Sequence, residues 1–141
     1  MDDFRGLLTG AGLQVAVFDA VEPEPSLQTV EAGREALRAH GADVVVAVGG
    51  GSVIDAAKLA AAVIAAEGRA EDYYQGRRDL PPRRLFLAAA PTTAGSGAEI
   101  TPNAVLVDPA SGNKRSLRHP ALIPDVALVD PALTLSAPPD L

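Results

Sequence analysis

The stretch ADVVVAVGGGS, residues 42–52, decides the fold, because an apolar run passes directly into three glycines and a serine. A second stretch of the same build, LFLAAAPTTAGSG, spans residues 85–97. An apolar run followed by small residues is typical of a strand buried in a parallel sheet. In open α/β sheets, ligands bind to loops at the carboxyl ends of neighbouring strands. The two loops together therefore predict a nucleotide-cofactor site on an α/β sheet.

The remaining residues continue an alternation of helical and strand patterns. Helices are predicted around residues 4–10, 26–40 and 53–67, and strands at 13–18, 44–48, 85–90 and 126–129. Residues 104–107 and 114–117 flank the turn residues 108–113 and predict a β-hairpin. Residues 68–84 are polar and charged, which indicates a surface segment. The fold class is therefore α/β, with a Rossmann-like parallel sheet, flanking helices and a β-hairpin.

Composition bounds the function. A chain of 141 residues, 48% hydrophobic and 21% charged, is typical of one globular domain. A net charge of -6 argues against a nucleic-acid partner. The chain has no cysteine, which excludes disulfides and thiolate metal sites and fits the expected cytoplasmic location. The longest apolar run, residues 59–66, is too short to span a membrane, so no membrane partner is expected.

The first loop fits neither standard nucleotide fingerprint. A P-loop needs Gly-Lys-Ser/Thr, whereas Val53 and Ile54 follow Ser52, and Ile54 also stands where the dinucleotide motif needs its third glycine. Glycines nevertheless let the backbone approach a phosphate, and a helix beginning at Ser52 would aim free N–H groups at it. The second loop, residues 92–97, offers hydroxyl and N–H groups without a basic residue, which suits ribose, pyrophosphate or a carboxamide. The alternatives without a ligand are a tight strand-to-helix turn for the first loop and an ordinary flexible loop for the second.

Few other residues indicate chemistry. Asp55 and Lys58 lie three apart on one helix and predict either a local ion pair or an Asp55 contact with a cofactor amide. Lys114 is a surface lysine unless the hairpin folds over the cleft. His40 and His119 have no partners at metal-ligand spacing and are interpreted as structural or surface residues. The residues thus predict a cofactor site, with no catalytic and no metal-ligating residue.

Four ordered motifs resemble the iron-containing (group III) alcohol dehydrogenases. They are EPxPS at 22–26, GGGSxxDxxK at 49–58, PTTAGSGAEIT at 91–101 and PDVALVDPxLT at 124–134. The resemblance implies an NAD(P)-dependent oxidoreductase that interconverts primary alcohols and aldehydes by hydride transfer. It also implies a dehydroquinate synthase-like N-terminal domain, and a C-terminal helical domain that holds iron or zinc.

The resemblance also implies roles for individual residues. Gly50, Gly51 and Ser52 match the pyrophosphate-binding turn. The positions matching the adenosine and ribose loop are Thr92, Thr93, Gly95 and Ser96. Asn103 and Lys114 match positions near the nicotinamide half, Leu133 matches an apolar wall, and Asp55 completes the expected cofactor-binding set.

Within this resemblance, residues 1–141 are expected to form a partial NAD(P)-binding domain, truncated at both ends and inactive alone. The family's metal ligands and its ribose-reading first strand are expected outside the chain, so NAD and NADP remain alternatives. Expected partners are the cofactor and a small alcohol or aldehyde, with a homodimer as the candidate assembly. The alternative functions are a maleylacetate reductase-like enzyme and a non-catalytic nucleotide-binding fragment. The Asp55-x-x-Lys58 spacing and the complete second loop favour the alcohol dehydrogenase branch.

Overall fold

Helices and strands alternate through the computed structural model, which describes residues 2–108 and 110–138. The helices are α1 (Asp2–Gly10), α2 (Leu27–His40), α3 (Gly51–Ala62) and α4 (Ala70–Tyr74). The strands are β1 (Val44–Gly49), β2 (Phe86–Pro91), β3 (Asn103–Asp108), β4 (Asn113–Arg118) and β5 (Val126–Ala127), and 3-10 helices span Pro120–Leu122 and Pro131–Thr134. Pro109 of the predicted turn and residues 139–141 lie outside the described residues. Within the described ranges, no helix has the length and apolarity needed to cross a bilayer.

The parallel sheet has the order β1-β2-β5, which confirms the predicted architecture. β1 and β2 pair from Val44 opposite Phe86 to Gly49 opposite Pro91. The two loops that follow these strands therefore begin at the same level of the sheet. Antiparallel pairing of β3 with β4 confirms the hairpin.

Helix α3 lies at the centre of the fold because its small residues allow close packing on several sides. It contacts β1 and β2 as well as α2 and β3. One apolar cluster joins α2, α3, α4 and the hairpin, and includes Val30, Leu59 and Leu106. A smaller cluster, with Ile54 and Ala89 among its members, lies beneath the two loops. The two loops therefore lie against a packed apolar cluster.

Three strand predictions need correction. The strand predicted at 126–129 is shorter, because β5 ends at Ala127. Residues 13–18 form no strand in the described structure, because none of its strands pairs with them. This segment is fixed instead by Phe18, which packs beside Gly33 of α2, and by a His40 side-chain contact to the Gln14 carbonyl. Strand β1 is also less buried than predicted, with Val44 48% exposed, since β1 is an edge of the described sheet and β2 is its centre.

The segment 68–84 is not the purely surface excursion that its charge predicted. It contains α4, whose Tyr73 and Tyr74 side chains are buried in the main apolar cluster. Helix α3 ends at Ala62 rather than at residue 67. Beyond that end, Arg38 of α2 donates to the Ile64 carbonyl at 2.6 Å, so this carbonyl is satisfied without further helix.

Candidate functional site

The two loops contact each other directly. The Thr92 N–H donates to the Gly49 carbonyl at 3.0 Å, which extends the sheet pairing into the loops. A Cβ built on Gly50 would lie 3.2 Å from the Thr93 hydroxyl oxygen. Glycine at position 50 therefore allows the second loop to lie against the first.

Helix α3 presents its N-terminus at this contact. Gly50 is the N-cap residue, and the first helical bond runs from the Ile54 N–H to the Gly50 carbonyl at 3.2 Å. The N–H groups of residues 51–53 precede that bond and point beyond the helix end, where anions are favoured. A Cβ on Gly51 would lie 3.0 Å from the Ser96 hydroxyl oxygen. The helix begins one residue before the predicted Ser52, so Gly51 is part of its first turn.

A buried ion pair lies behind the loops. Asp55 Oδ1 is 3.5 Å from Lys58 Nζ, which confirms the predicted pair, and the Lys58 side chain is fully buried. Burial lowers the pKa of Lys58, partly offset by the Asp55 carboxylate. Burial also raises the pKa of Asp55, against the opposing effects of the Val105 N–H and of Lys58. Asp55 Oδ1 has no hydrogen-bond partner among the described residues.

The same pair ties α3 to the hairpin. Lys58 Nζ donates to the Thr101 carbonyl at 3.0 Å and to the Asn103 carbonyl at 2.8 Å. Asp55 Oδ2 accepts from the Val105 N–H at 2.9 Å. These bonds place Asn103 next to the helix that carries the first loop. The sequence predicted the ion pair but not its bonds to the hairpin. Lys58 lies four residues after the core residue Ile54, and this helical spacing is the sequence signal for its burial.

Lys114 reaches the loops through a residue that the sequence did not single out. Its Nζ lies 2.7 Å from Glu24 Oε1, and the Glu24 N–H donates to the Ser52 hydroxyl at 3.4 Å. The hairpin is thus linked to the first loop through Glu24. A functional Lys114, which requires the hairpin to fold over the cleft, stays a prediction. The acidic residue inside the EPxPS motif was the signal available for Glu24.

The remaining predicted residues differ in their exposure to solvent. Gly95 and Ser96 are exposed, and Thr92 and Thr93 are half-buried. Gly95 has a φ of 125°, which favours glycine. Leu133 is half-buried in the second 3-10 helix, which contacts β2.

The described residues contain no group of three His, Cys, Asp or Glu side chains placed to hold a metal ion. The two histidines make local contacts. His119 Nδ1 accepts from the Ala121 N–H at 3.1 Å, and the His40 ring contacts the Gln14 carbonyl. No metal-dependent step is therefore assigned to these side chains.

A surface cleft of about 280 Å³ lies away from the loops, between α2, α4 and the hairpin turn. Its acidic lining residues already have partners. Glu31 binds Arg34 and the Ala70 N–H, and Glu71 binds Arg77. The cleft contains none of the predicted cofactor residues, so the open loop surface remains the candidate site.

The parallel sheet with paired glycine loops at one edge places the chain in the class of Rossmann-like α/β domains. The family model described as iron-containing alcohol dehydrogenase matches residues 1–131, and the chain belongs to that family.

Named relatives agree with this assignment. The chain is 41% identical over 130 residues to "Probable alcohol dehydrogenase EutG" of Salmonella typhimurium, covering 92% of this chain and 33% of that protein. It is 40% identical over 141 residues to long-chain-alcohol dehydrogenase 1 of Geobacillus thermodenitrificans, covering 99% and 35%. Sulfoacetaldehyde reductase from Bifidobacterium kashiwanohense, solved with NAD⁺, superposes with a TM-score of 0.90 at 36% identity, covering 98% and 37%. The chain thus spans about a third of the length of these relatives.

Proposed function

We propose that this chain supplies the nicotinamide-cofactor site of an oxidoreductase that interconverts primary alcohols and aldehydes. The observation that carries the proposal is the direct contact between the two loops at the carboxyl ends of β1 and β2. Family membership and the alcohol dehydrogenase names of the relatives support the reaction class. NAD⁺ is the proposed cofactor, because a structural relative contains it.

The groups at the loops suit a dinucleotide. The N–H groups at the start of α3 offer donors to a pyrophosphate, and glycines at 50 and 51 leave room beside the backbone. Hydroxyls on both loops offer donors and acceptors to ribose. The bound nicotinamide supplies the hydride chemistry. The proposal keeps the predicted set: Gly50, Gly51, Ser52, Asp55, Thr92, Thr93, Gly95, Ser96, Asn103, Lys114 and Leu133.

Each part of the chain then has a physical role. Helix α3 attracts the cofactor's negative charge with its N-terminus. The second loop closes on the first and orients the sugar portion. The Asp55–Lys58 pair fixes Asn103 relative to α3, and Leu133 offers an apolar surface. These residues bind and orient the cofactor, and the substrate-activating groups are not assigned among them.

A titration of the purified complete protein with NADH, followed by nicotinamide fluorescence, tests the proposal. We expect saturable binding with or without divalent iron or zinc, and loss of binding in Gly51→Val, whose side chain would collide with Ser96. Gly6→Val is the matched control, because Gly6 is also helical and a Cβ there meets nothing within 4 Å. Equal NADH affinities of Gly51→Val and wild type, or no binding by a folded wild type, would refute the cofactor site.

A further inference from the structure

Glu24 lies on a turn that holds it in a disfavoured conformation. Its φ is 57°, in the left-handed region that residues other than glycine rarely adopt, and it stands between two prolines. The turn is fixed on its C-terminal side by a 2.9 Å bond from the Val107 N–H to the Pro25 carbonyl. It is closed locally by a 2.9 Å bond from the Ser26 N–H to Glu22 Oε1. These hydrogen bonds therefore hold Glu24 in a backbone conformation that it would not prefer by itself.

From this position Glu24 contacts two residues of the proposed cofactor site. Its N–H donates to the Ser52 hydroxyl, and its carboxylate lies 2.7 Å from the Lys114 ammonium. The Glu24 and Lys114 side chains are 63% and 51% exposed. An ion pair this exposed adds little to folding stability, so stability does not explain why a strained turn maintains it.

The charges of Glu24 and Lys114 explain the contact between them better than folding stability does. The Lys114 hydrogen bond and charge hold the pKa of Glu24 below its usual value, so the carboxylate is ionised at neutral pH. The anionic group of the cofactor is its pyrophosphate, and its phosphate on the nicotinamide side is the one that Lys114, matched to a position near that half, would attract. Two anions next to one ammonium repel each other, so a phosphate at Lys114 must compete with Glu24.

We propose that Glu24 is an internal competitor of the cofactor, occupying Lys114 in the free protein and yielding it to a cofactor phosphate on binding. This inference rests on the proposed function and adds to it a residue that sets cofactor affinity and exchange. Its consequence is counter-intuitive for a residue at a binding site. Neutralising Glu24 should tighten binding, because Lys114 is then available without exchange and one repulsive charge is gone.

NADH titrations of the purified complete protein and of Glu24→Gln test the inference. We expect the dissociation constant to fall about two- to fivefold, the range that exposed ion pairs support. The gain should shrink as salt is raised from about 0.05 to about 0.5 M, because screening weakens both the pair and the repulsion. It should be smaller in a Lys114→Gln background, where there is no ammonium to compete for and only the repulsion between Glu24 and the phosphate is removed. Glu67→Gln is the matched control, since Glu67 is an exposed carboxylate paired with Arg78 beyond the far end of α3.

A second variant separates the loss of the charge from any disturbance of the turn's backbone conformation. Glu24→Asn also removes the charge, and asparagine tolerates the left-handed region better than glutamine does. Tighter NADH binding by both variants, with a smaller gain in the Lys114→Gln background, supports the competition; an equal gain with and without Lys114 overturns it. Unchanged or weaker binding by both, with saturable binding by the wild type, overturns the inference and leaves the proposed function standing. No saturable binding by any of these proteins, each shown to be folded, overturns both.

Discussion

Substituting Lys58 with methionine removes one buried charge while keeping an unbranched side chain of similar length. The ammonium that is lost donates to the Thr101 and Asn103 carbonyls at 3.0 and 2.8 Å and lies 3.5 Å from Asp55 Oδ1. The Lys58 side chain has no exposed surface, so water cannot replace these interactions in place. The change therefore leaves two carbonyls and a carboxylate without their partner.

The expected loss of unfolding free energy follows from these lost interactions of the Lys58 ammonium. Removing one member of a buried ion pair costs about 3–5 kcal/mol, because the other charge stays buried and unpaired. The Asp55 side chain is 12% exposed and keeps its bond to the Val105 N–H, so the lower end applies. We expect Lys58→Met to lose about 3 kcal/mol, a large part of the 5–15 kcal/mol that typically separates folded from unfolded protein.

Urea unfolding followed by far-UV circular dichroism measures this loss. Lys114→Met is the matched control, because the Lys114 side chain is 51% exposed and, among the described residues, pairs with the exposed Glu24 alone. It should shift the midpoint far less. Lys58→Met should also cost less in an Asp55→Leu background, since no carboxylate is then left unpaired. Equal midpoints for Lys58→Met and Lys114→Met would refute the argument that burial makes Lys58 structural.

Two further predictions test the packing and the electrostatics of the loop supports. A Cβ on Gly49 would lie 2.7 Å from both Cβ and Cγ2 of Val53, so Gly49→Ala should cost about 1–3 kcal/mol in urea unfolding. The cost should be smaller in a Val53→Gly background, where neither of those atoms is present, and an equal cost in both backgrounds would contradict the collision. Burial acts to raise the pKa of Glu22, but hydrogen bonds from Thr29 and Ser26 outweigh it and hold that pKa at about 2, against an ordinary value of 4.5. Because the folded pKa lies below the unfolded one, Glu22 stabilises fully above pH 4.5, and this contribution is lost as pH falls toward about 2. The stability difference between wild type and Glu22→Gln should therefore shrink over that pH range, and a constant difference would count against the shift.

The sequence predicts best what neighbouring residues determine. The runs at 44–48 and 85–90 are short, apolar and followed by small residues, and each became a parallel strand with a loop at the same level. The hairpin was equally predictable, because the turn residues 108–113 separate the apolar segment 104–107 from the short segment 114–117. In these places local pattern and tertiary structure agree.

Prediction failed where a residue's state depends on a distant partner. Residues 13–18 carry a strand pattern, but a strand forms only when another pairs with it. The charged surroundings of Tyr74 suggested a surface, yet its hydroxyl donates to the Leu106 carbonyl at 2.5 Å, 32 residues away. Composition within a window carries no information about such contacts.

The candidate site shows the same division. The glycines and hydroxyls of the two loops were predictable, because the chemistry of a phosphate or a ribose restricts which residues can surround it. For Lys58 and Glu24 the sequence offered only a helical spacing and an acidic residue inside a motif, because their partners lie 45 and 90 residues along the chain. Their importance follows from burial in one case and from a fixed turn in the other, and neither can be deduced from residue type.

Helix α3 makes these separate pieces one structural unit. Its first turn meets the second loop through Gly51, and its second turn holds the hairpin through Asp55 and Lys58. A shift of the hairpin would therefore move Asn103 and Lys114 relative to the helix N-terminus, even though neither is next to it in sequence. Because the Asp55–Lys58 bonds oppose such a shift, Lys58→Met should weaken NADH binding as well as lower stability. A variant that lost stability but kept wild-type NADH affinity would show that the loops alone determine the site.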